Sequence, residues 1–292
     1  MAGRPVIPIS GFTIIRNAFK YDFPVVESIR SILPVCEEVI VNVGKSDDDT
    51  MDLIRSIKDP KIRILETEWD MSRRNYVLGH ETMRAMQACR HPWGIDIQAD
   101  EVLHERGAAT LAEAIQVNDG DRRVEGLLVK YLHFYGGFDT IASNRRWYRR
   151  EVRAVRLDPA LGIHPYQGAQ GFRVGEANRR IRARLTTAEM FHYGWARPTE
   201  ALDAKRELGK TMYPWRNADP ARPLLPWMPG LRPFKGTHPA AVRAWVDARR
   251  EAAAGRIGPP KFEREFIRFY LSDIVERTTG ARLFEFRNYR IV

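Results

Sequence analysis

Short β-branched strands alternate with helical stretches through the first hundred residues, which predicts an α/β protein: Rossmann-like, with a mostly parallel sheet flanked by helices, and a helical, proline-rich C-terminal extension. Three observations carry this expectation. The apolar runs Phe12–Ile15, Glu38–Val43, Lys61–Glu66 and Gly94–Ala99 are separated by stretches long enough for helices, and parallel neighbours need such crossovers. Six prolines crowd the segment 213–236, where no regular element survives them. The chain of 292 residues is 44% hydrophobic and 29% charged, with a mean hydropathy of −0.41, as expected for an ordinary globular protein with a sizeable core.

Taken in order, Phe12–Ile15 reads as the first strand, and Pro24–Leu33 as a helix opened by proline, whose missing N–H has no partner in a first turn anyway. Glu38–Val43 is a second strand. A polar loop, Gly44-Lys45-Ser46-Asp47-Asp48-Asp49, leads to a helix over Thr50–Lys58 with Met51, Leu53, Ile54 and Ile57 on its apolar face. Lys61–Glu66 is a third strand, Ser72–Arg90 a helix, and Gly94–Ala99 a fourth strand that stops abruptly at Asp100-Glu101. After a helix at Ala108–Gln116 come longer strand-like segments, Val124–Tyr135, Arg146–Val155 and Met190–Trp195, with a Gly- and Arg-rich stretch, Leu161–Arg184, between the last two. Helices are expected at Pro198–Lys210, Pro239–Ala254 and Lys261–Arg277, and Leu283–Val292 alternates like an edge strand.

Several classes drop out. Cys36 and Cys89 form no CxxC pair, so neither a disulfide framework nor a cysteine-built zinc site is expected, and a reducing, cytoplasmic setting is the default. The longest apolar stretches fall far short of the roughly 18–20 residues that cross a bilayer, and residues 1–10 lack the pattern of a secretory signal. No GxGxxG follows the first strand and no GxxxxGK[ST] occurs, which removes the main support for dinucleotide-binding and P-loop readings.

The net charge of +10 is unevenly placed: residues 1–100 carry 13 Lys and Arg against 15 Asp and Glu, and residues 101–292 carry 34 against 22. Arginine dominates, 38 to 9 lysines, either from codon composition or from recognition of anions by bidentate donors. In open α/β sheets ligands bind beyond the carboxyl ends of the strands, which selects the loops after Ile15, Val43 and Ile97. Asp100, at the end of the fourth strand, is placed either to hold a hard divalent cation or to cap the next helix.

The chain resembles family-2-type glycosyltransferases of the GT-A fold, whose central strand ends in Asp-Ala-Asp-Glu where this one ends Gln98-Ala99-Asp100-Glu101. Ile14-Ile15-Arg16-Asn17 resembles the first-strand signature, and Asn42 to Thr50 the Asp-Ser-Gly-Ser-Thr-Asp-Gly-Thr loop. It is similar in particular to a bacterial subgroup with Gln-Ala-Asp-Glu and a later His-Tyr-Gly-Trp, through Glu81-Thr82, Tyr131 to Tyr135, Arg146 to Glu151, Ala169 to Arg173 and His192 to Trp195.

The resemblance implies a metal-dependent, inverting transfer from a nucleotide sugar, a UDP- or GDP-sugar, to a glycan or lipid-linked acceptor in surface polysaccharide assembly. Asp100 would hold Mg2+ or Mn2+ against the diphosphate, with His192 as a second ligand or else an ordinary strand histidine. Arg16, Asn17, Gly44 and Ser46 would cradle the nucleoside. Arg74 and Asn75 would lie near the diphosphate. Gln98 and Asn42 stand where the family has aspartates for the ribose and the base. The subgroup's aspartate before Ala169 is Gly168 here, which leaves Glu151, His164 and Glu176 as candidate bases. The implied organisation is a catalytic domain over 1–212, nucleotide-binding at 1–105 and acceptor-binding at 106–212, with an extension over 213–292 packed on it. Arginines from Arg145 to Arg156 and Arg173 to Arg184 suggest an anionic acceptor, a lipid diphosphate or, as an alternative function, modified phage DNA. A second alternative, a binding module of the same fold without activity, rests on Gln98 and Gly168. The aromatic, basic helix Lys261–Arg277 either packs on the core or makes peripheral contact with a membrane.

Overall fold

The computed structural model describes residues 6–213, 224–283 and 285–292. Along the chain run β1 (Ile9–Ile15), α1 (Val25–Ile32), β2 (Glu38–Gly44), α2 (Thr50–Arg55), β3 (Ile62–Thr67), α3 (Tyr76–Gln87), β4 (Trp93–Asp96), β5 (Glu101–Leu103) and α4 (Glu105–Asn118). They are followed by β6 (Gly126–Tyr135), β7 (Thr140–Ala142), β8 (Arg150–Arg156), β9 (Ile163–Pro165), β10 (Phe172–Val174) and β11 (Arg179–Trp195). The last elements are α5 (Thr199–Met212), β12 (Leu231–Pro233), α6 (Arg243–Ala253), α7 (Phe266–Thr279) and β13 (Tyr289–Ile291).

The expected α/β class is found, with a mixed sheet in the order β3-β2-β1-β4-β8-β6-β11-β10-β9. The strands β3, β2, β1 and β4 are parallel, β8 runs against both β4 and β6, and β6 is again parallel to β11. Two reversals cancel, so β1, β2, β4, β6 and β11 all end on the same edge of the sheet.

Period-two alternation separates two apolar layers. On β1, Ile9 and Ile15 face a layer with α1, α2 and α4, whereas Phe12 joins Ala85 and Met86 of α3 and the β9–β10 hairpin on the other face. Trp245 and Val246 of α6 pack on Phe134, Phe191 and Tyr193, and Phe266 and Phe269 of α7 lie with Tyr135, Leu202 and Met228.

The largest departure from expectation is β11, which is 17 residues long where only Met190–Trp195 was expected. Within the Gly- and Arg-rich stretch, Ile181 and Ala183 are fully buried while Arg180, Arg182 and Arg184 alternate with them, so the arginines conceal a strand of ordinary period. The fourth strand ends at Asp96, three residues early, and α3 starts only after a 3-10 turn at Met71–Arg73 and a positive φ of 54° at Arg74. Of the proline-rich segment, Pro214, Pro220 and Pro223 lie outside the described residues. Among the described residues no helix is long and apolar enough to cross a membrane.

Candidate functional site

The site rests on a turn. Between β4 and β5 the chain reverses through residues 97–100, and Glu101, fully buried, closes the turn. Its carboxylate accepts both prongs of the Arg153 guanidinium at 2.9 and 2.8 Å, the Tyr131 hydroxyl at 2.6 Å and the Gln98 N–H at 3.1 Å. Arg153 is equally buried, so each charge depends on the other for solvation. Behind them Asp96 lies 3.6 Å from Arg153, one of its oxygens without a hydrogen bond, and burial pushes its carboxyl up to about 7.

Strand β5 pairs with the end of β11 so that Glu101 lies opposite His192, and the Tyr193 N–H donates to the Asp100 carbonyl. The ladder presents Asp100 and His192 side by side, with Oδ2 3.7 Å from Nε2. Burial alone would raise the Asp100 carboxyl, but Lys205 at 3.1 Å and Arg197 at 4.0 Å hold it well below the usual carboxylate range. Gly194 keeps the space open: a Cβ there would stand 2.6 Å from His192 Nε2 and 3.0 Å from Asp100 Oδ2.

Hydrogen bonding fixes which His192 nitrogen is bare. His133 Nε2 is 2.8 Å from the Tyr148 carbonyl, which only accepts, so that nitrogen carries the proton and His133 Nδ1 is the acceptor. The 3.0 Å contact between the two Nδ1 atoms then makes His192 the donor. Its Nε2 is left with a lone pair aimed toward the Asp100 carboxylate. Burial drives both imidazoles toward the neutral form, His133 to about 3 and His192 to about 4. Two acceptors face each other across 3.7 Å, with the Lys205 ammonium as the nearest cation.

Around this pair the loops after β1 and β2 are stitched together. The Asn17 N–H donates to Ser46 Oγ, the Asp47 N–H to Asn17 Oδ1, and Arg16 Nε to the Lys45 carbonyl. Asn17 takes a positive φ of 56° to do so. The Trp69 indole lies on Gly44, where a Cβ would be 2.6 Å away. Gln98 donates to the Ala169 carbonyl at 2.8 Å, bringing the loop 166–171 over the turn. Asn75 is buried with Oδ1 unpartnered, and its carbonyl faces Gly168, where a Cβ would stand 2.8 Å from the Tyr213 hydroxyl. Arg74 is exposed beside it.

Asn42 does not fit its expected role. Fully buried, it donates to the Glu81 carbonyl and carboxylate and accepts from Thr67 Oγ1, so it ties β2 to α3 and β3 instead of facing a base.

Two of the three candidate bases are also out of reach. Glu176 lies in the β10–β11 turn, and His164 bonds Asn178 of that turn, at the far end of β11 from His192, roughly 40 Å of strand away at ~3.3 Å per residue. Glu151 on β8 is buried and accepts from Val152 N–H and Asn288, and burial pushes it up to about 7.

The arginines expected to form one basic acceptor face are largely occupied within the fold. Arg153 binds Glu101, Arg149 binds Glu276 and Glu285, Arg156 binds the Asp119 carboxylate and the backbone carbonyls of Asn118, Asp119, Asp121 and Val124, and Arg179 and Arg182 share Glu125. The nucleic-acid reading loses the residues on which it stood. Lys205 and Arg197, which sequence reasoning did not single out, supply the positive charge at Asp100.

No family model matches the chain. The lipopolysaccharide core biosynthesis glycosyltransferase LpsC of Rhizobium meliloti (strain 1021) is 28% identical over 154 residues, 52% of this chain and 52% of LpsC. The chain thus spans about half the length of the curated relative it matches. Among solved structures, S. aureus TarS 1–349 is 13% identical with a TM-score of 0.42, covering 73% of this chain and 66% of that one. Glucosyl-3-phosphoglycerate synthase from Mycobacterium tuberculosis, in complex with Mn2+, uridine diphosphate and phosphoglyceric acid, is 18% identical with a TM-score of 0.32, covering 44% of this chain and 43% of that one.

Two outcomes follow from this geometry. Arg153→Met strands a buried carboxylate and should cost about 3–5 kcal/mol in urea unfolding, with Glu101→Gln/Arg153→Met recovering part of the loss; a single variant as stable as the parent would refute the buried pair. Long-range 15N–1H spectra should show His133 protonated at Nε2 and His192 at Nδ1, both neutral from pH 7.5 to 5 because each is depressed well below 6.5. A His192 signal that titrates near 6.5 would contradict the assignment.

Proposed function

We propose that the chain is a metal-dependent, inverting glycosyltransferase that moves a sugar from a nucleotide sugar, a UDP- or GDP-sugar, to a glycan or lipid-linked acceptor. The observation that carries it is the pair of facing acceptors, Asp100 Oδ2 and His192 Nε2, beside the open space at Gly194 and on the sheet edge where the stitched loops end. The similarity to LpsC supports the same reading.

The donor set suits Mg2+ or Mn2+. Among the described residues no three His, Cys, Asp or Glu side chains group as a closed metal cage. One carboxylate and one imidazole are what a cation shared with substrate phosphates asks of a protein, and a ligating histidine typically donates its other N–H to a fixed partner, as His192 does to His133. When bound, the cation neutralises charge developing on the departing diphosphate.

The protein's own groups do the rest. Asp100 and His192 would hold the cation, and Lys205, 3.1 Å from Asp100, would supply a second positive charge to the diphosphate oxygens. Asn17, Ser46 and Gly44 shape the nucleoside cradle with Arg16, while Arg74 and Asn75 at the start of α3 border the diphosphate. Gln98, at the turn, would contact the ribose. Glu151 remains the base candidate because its carboxyl near 7 suits proton uptake at neutral pH once the loop at Gly171 lifts from it.

Thermal unfolding with UDP tests this. The melting temperature should rise with UDP only when Mn2+ or Mg2+ is present, by the equivalent of about 2.7 kcal/mol at a hundredfold excess over Kd. Asp100→Asn and His192→Ala should remove the shift while retaining the parent's circular dichroism. A shift independent of metal, or intact in both variants, would defeat the proposal. Metal-dependent UDP binding without cleavage of any nucleotide sugar would favour a binding module instead.

A further inference from the structure

At the edge where β13 runs beside the start of β11, a cleft of about 690 Å3 is lined by Arg179, Arg180, Arg182, Arg287, Arg290 and Tyr289, with no carboxylate on its wall. Two carboxylates behind it answer part of this charge. Buried Glu125 binds Arg179 and Arg182, each at 2.8 Å, and Glu285 binds Arg287 at 2.8 Å but is shared with Arg149. Among the described residues Arg180 and Arg290 enter no ion pair. The strand register worsens the imbalance, because Arg182 lies directly opposite Arg290 across β11 and β13, and Arg180 opposite Arg173 across β11 and β10.

Like charges directly opposite on neighbouring strands are destabilising. Five arginines that converge on one recess, two of them unpaired, make sense if an anion completes the arrangement. Guanidinium forks suit phosphate oxygens, which they grip bidentately, and the volume admits more than one phosphate. The cleft lies about ten residues along β11 from His192, matched by about eight on β6 because of the bulge between Leu185 and Glu189, or roughly 26 Å at ~3.3 Å per residue, so it is separate from the Asp100 edge.

We propose that this cleft is a second binding site, for the phosphate groups of an anionic ligand, independent of the sugar-transfer reading. Such phosphates come either from a soluble molecule or from a lipid headgroup, and one experiment separates the two. With EDTA present, to silence any metal at Asp100, pyrophosphate binding to the full chain is measured by calorimetry. Co-sedimentation is measured with phosphatidylglycerol-containing vesicles and with phosphatidylcholine vesicles alone. Arg180→Gln/Arg290→Gln leaves the pairs to Glu125 and Glu285 intact, and its melting temperature reports folding.

Pyrophosphate binding weakened about tenfold in this variant, without vesicle binding, identifies a soluble phosphate ligand. Binding to anionic vesicles only, lost in the variant and competed by pyrophosphate, identifies a headgroup. No binding in either arm overturns the proposal. So does binding unchanged in the variant, or equally reduced by Lys58→Gln/Lys235→Gln at exposed positions elsewhere.

Discussion

The buried ion pair between Glu101 and Arg153 is the constraint from which the candidate site takes its shape. A carboxylate without solvent must find all its partners inside the protein, and Glu101 finds them on three segments: Arg153 on β8, Tyr131 on β6 and the Gln98 N–H in its own turn, while its backbone pairs with β11. Satisfying that one charge forces the chain to stop β4 at Asp96 and reverse. Asp100, next to Glu101, is thereby delivered to the sheet edge with no freedom to turn away. His192 is the cross-strand partner of Glu101, and His133 the partner of His192 on β6, so the three side chains lie in one row across β5, β11 and β6.

The same row sets the chemistry. The Tyr148 carbonyl fixes the proton on His133 Nε2, His133 Nδ1 accepts the hydrogen bond from His192 Nδ1–H, and the bare Nε2 lies 3.7 Å from a carboxylate oxygen. Two acceptors held face to face repel unless a cation lies between or beside them. Lys205 fills that role in the free protein, with Arg197 behind it. The site thus holds positive charge against Asp100.

Much of this order could be read from the residues alone. The parallel half was legible because β-branched runs such as Glu38–Val43 and their intervening helices leave few alternatives, and the position of Asp100 at the sheet edge was legible because it ends an apolar strand, where ligands bind in open α/β sheets. His192 was legible through His192-Tyr193-Gly194-Trp195, although its partner His133 was not, since a contact across 59 residues leaves no local trace. Lys205 was hidden for the same reason. The arginines misled in two ways: they concealed the first half of β11, and they suggested a surface for an anionic acceptor when Arg153 and Arg156 are buried. Asn42 misled because its position in the motif says nothing of Glu81, which reaches it from α3.

The most direct measurement of the central claim is anomalous diffraction at the manganese edge from crystals soaked with Mn2+ and UDP. The expected result is one peak between Asp100 Oδ2 and His192 Nε2, beside Gly194, with the Lys205 ammonium moved from its 3.1 Å contact onto the diphosphate. A peak elsewhere, or UDP bound with Lys205 still on Asp100 and no metal beside it, would contradict it.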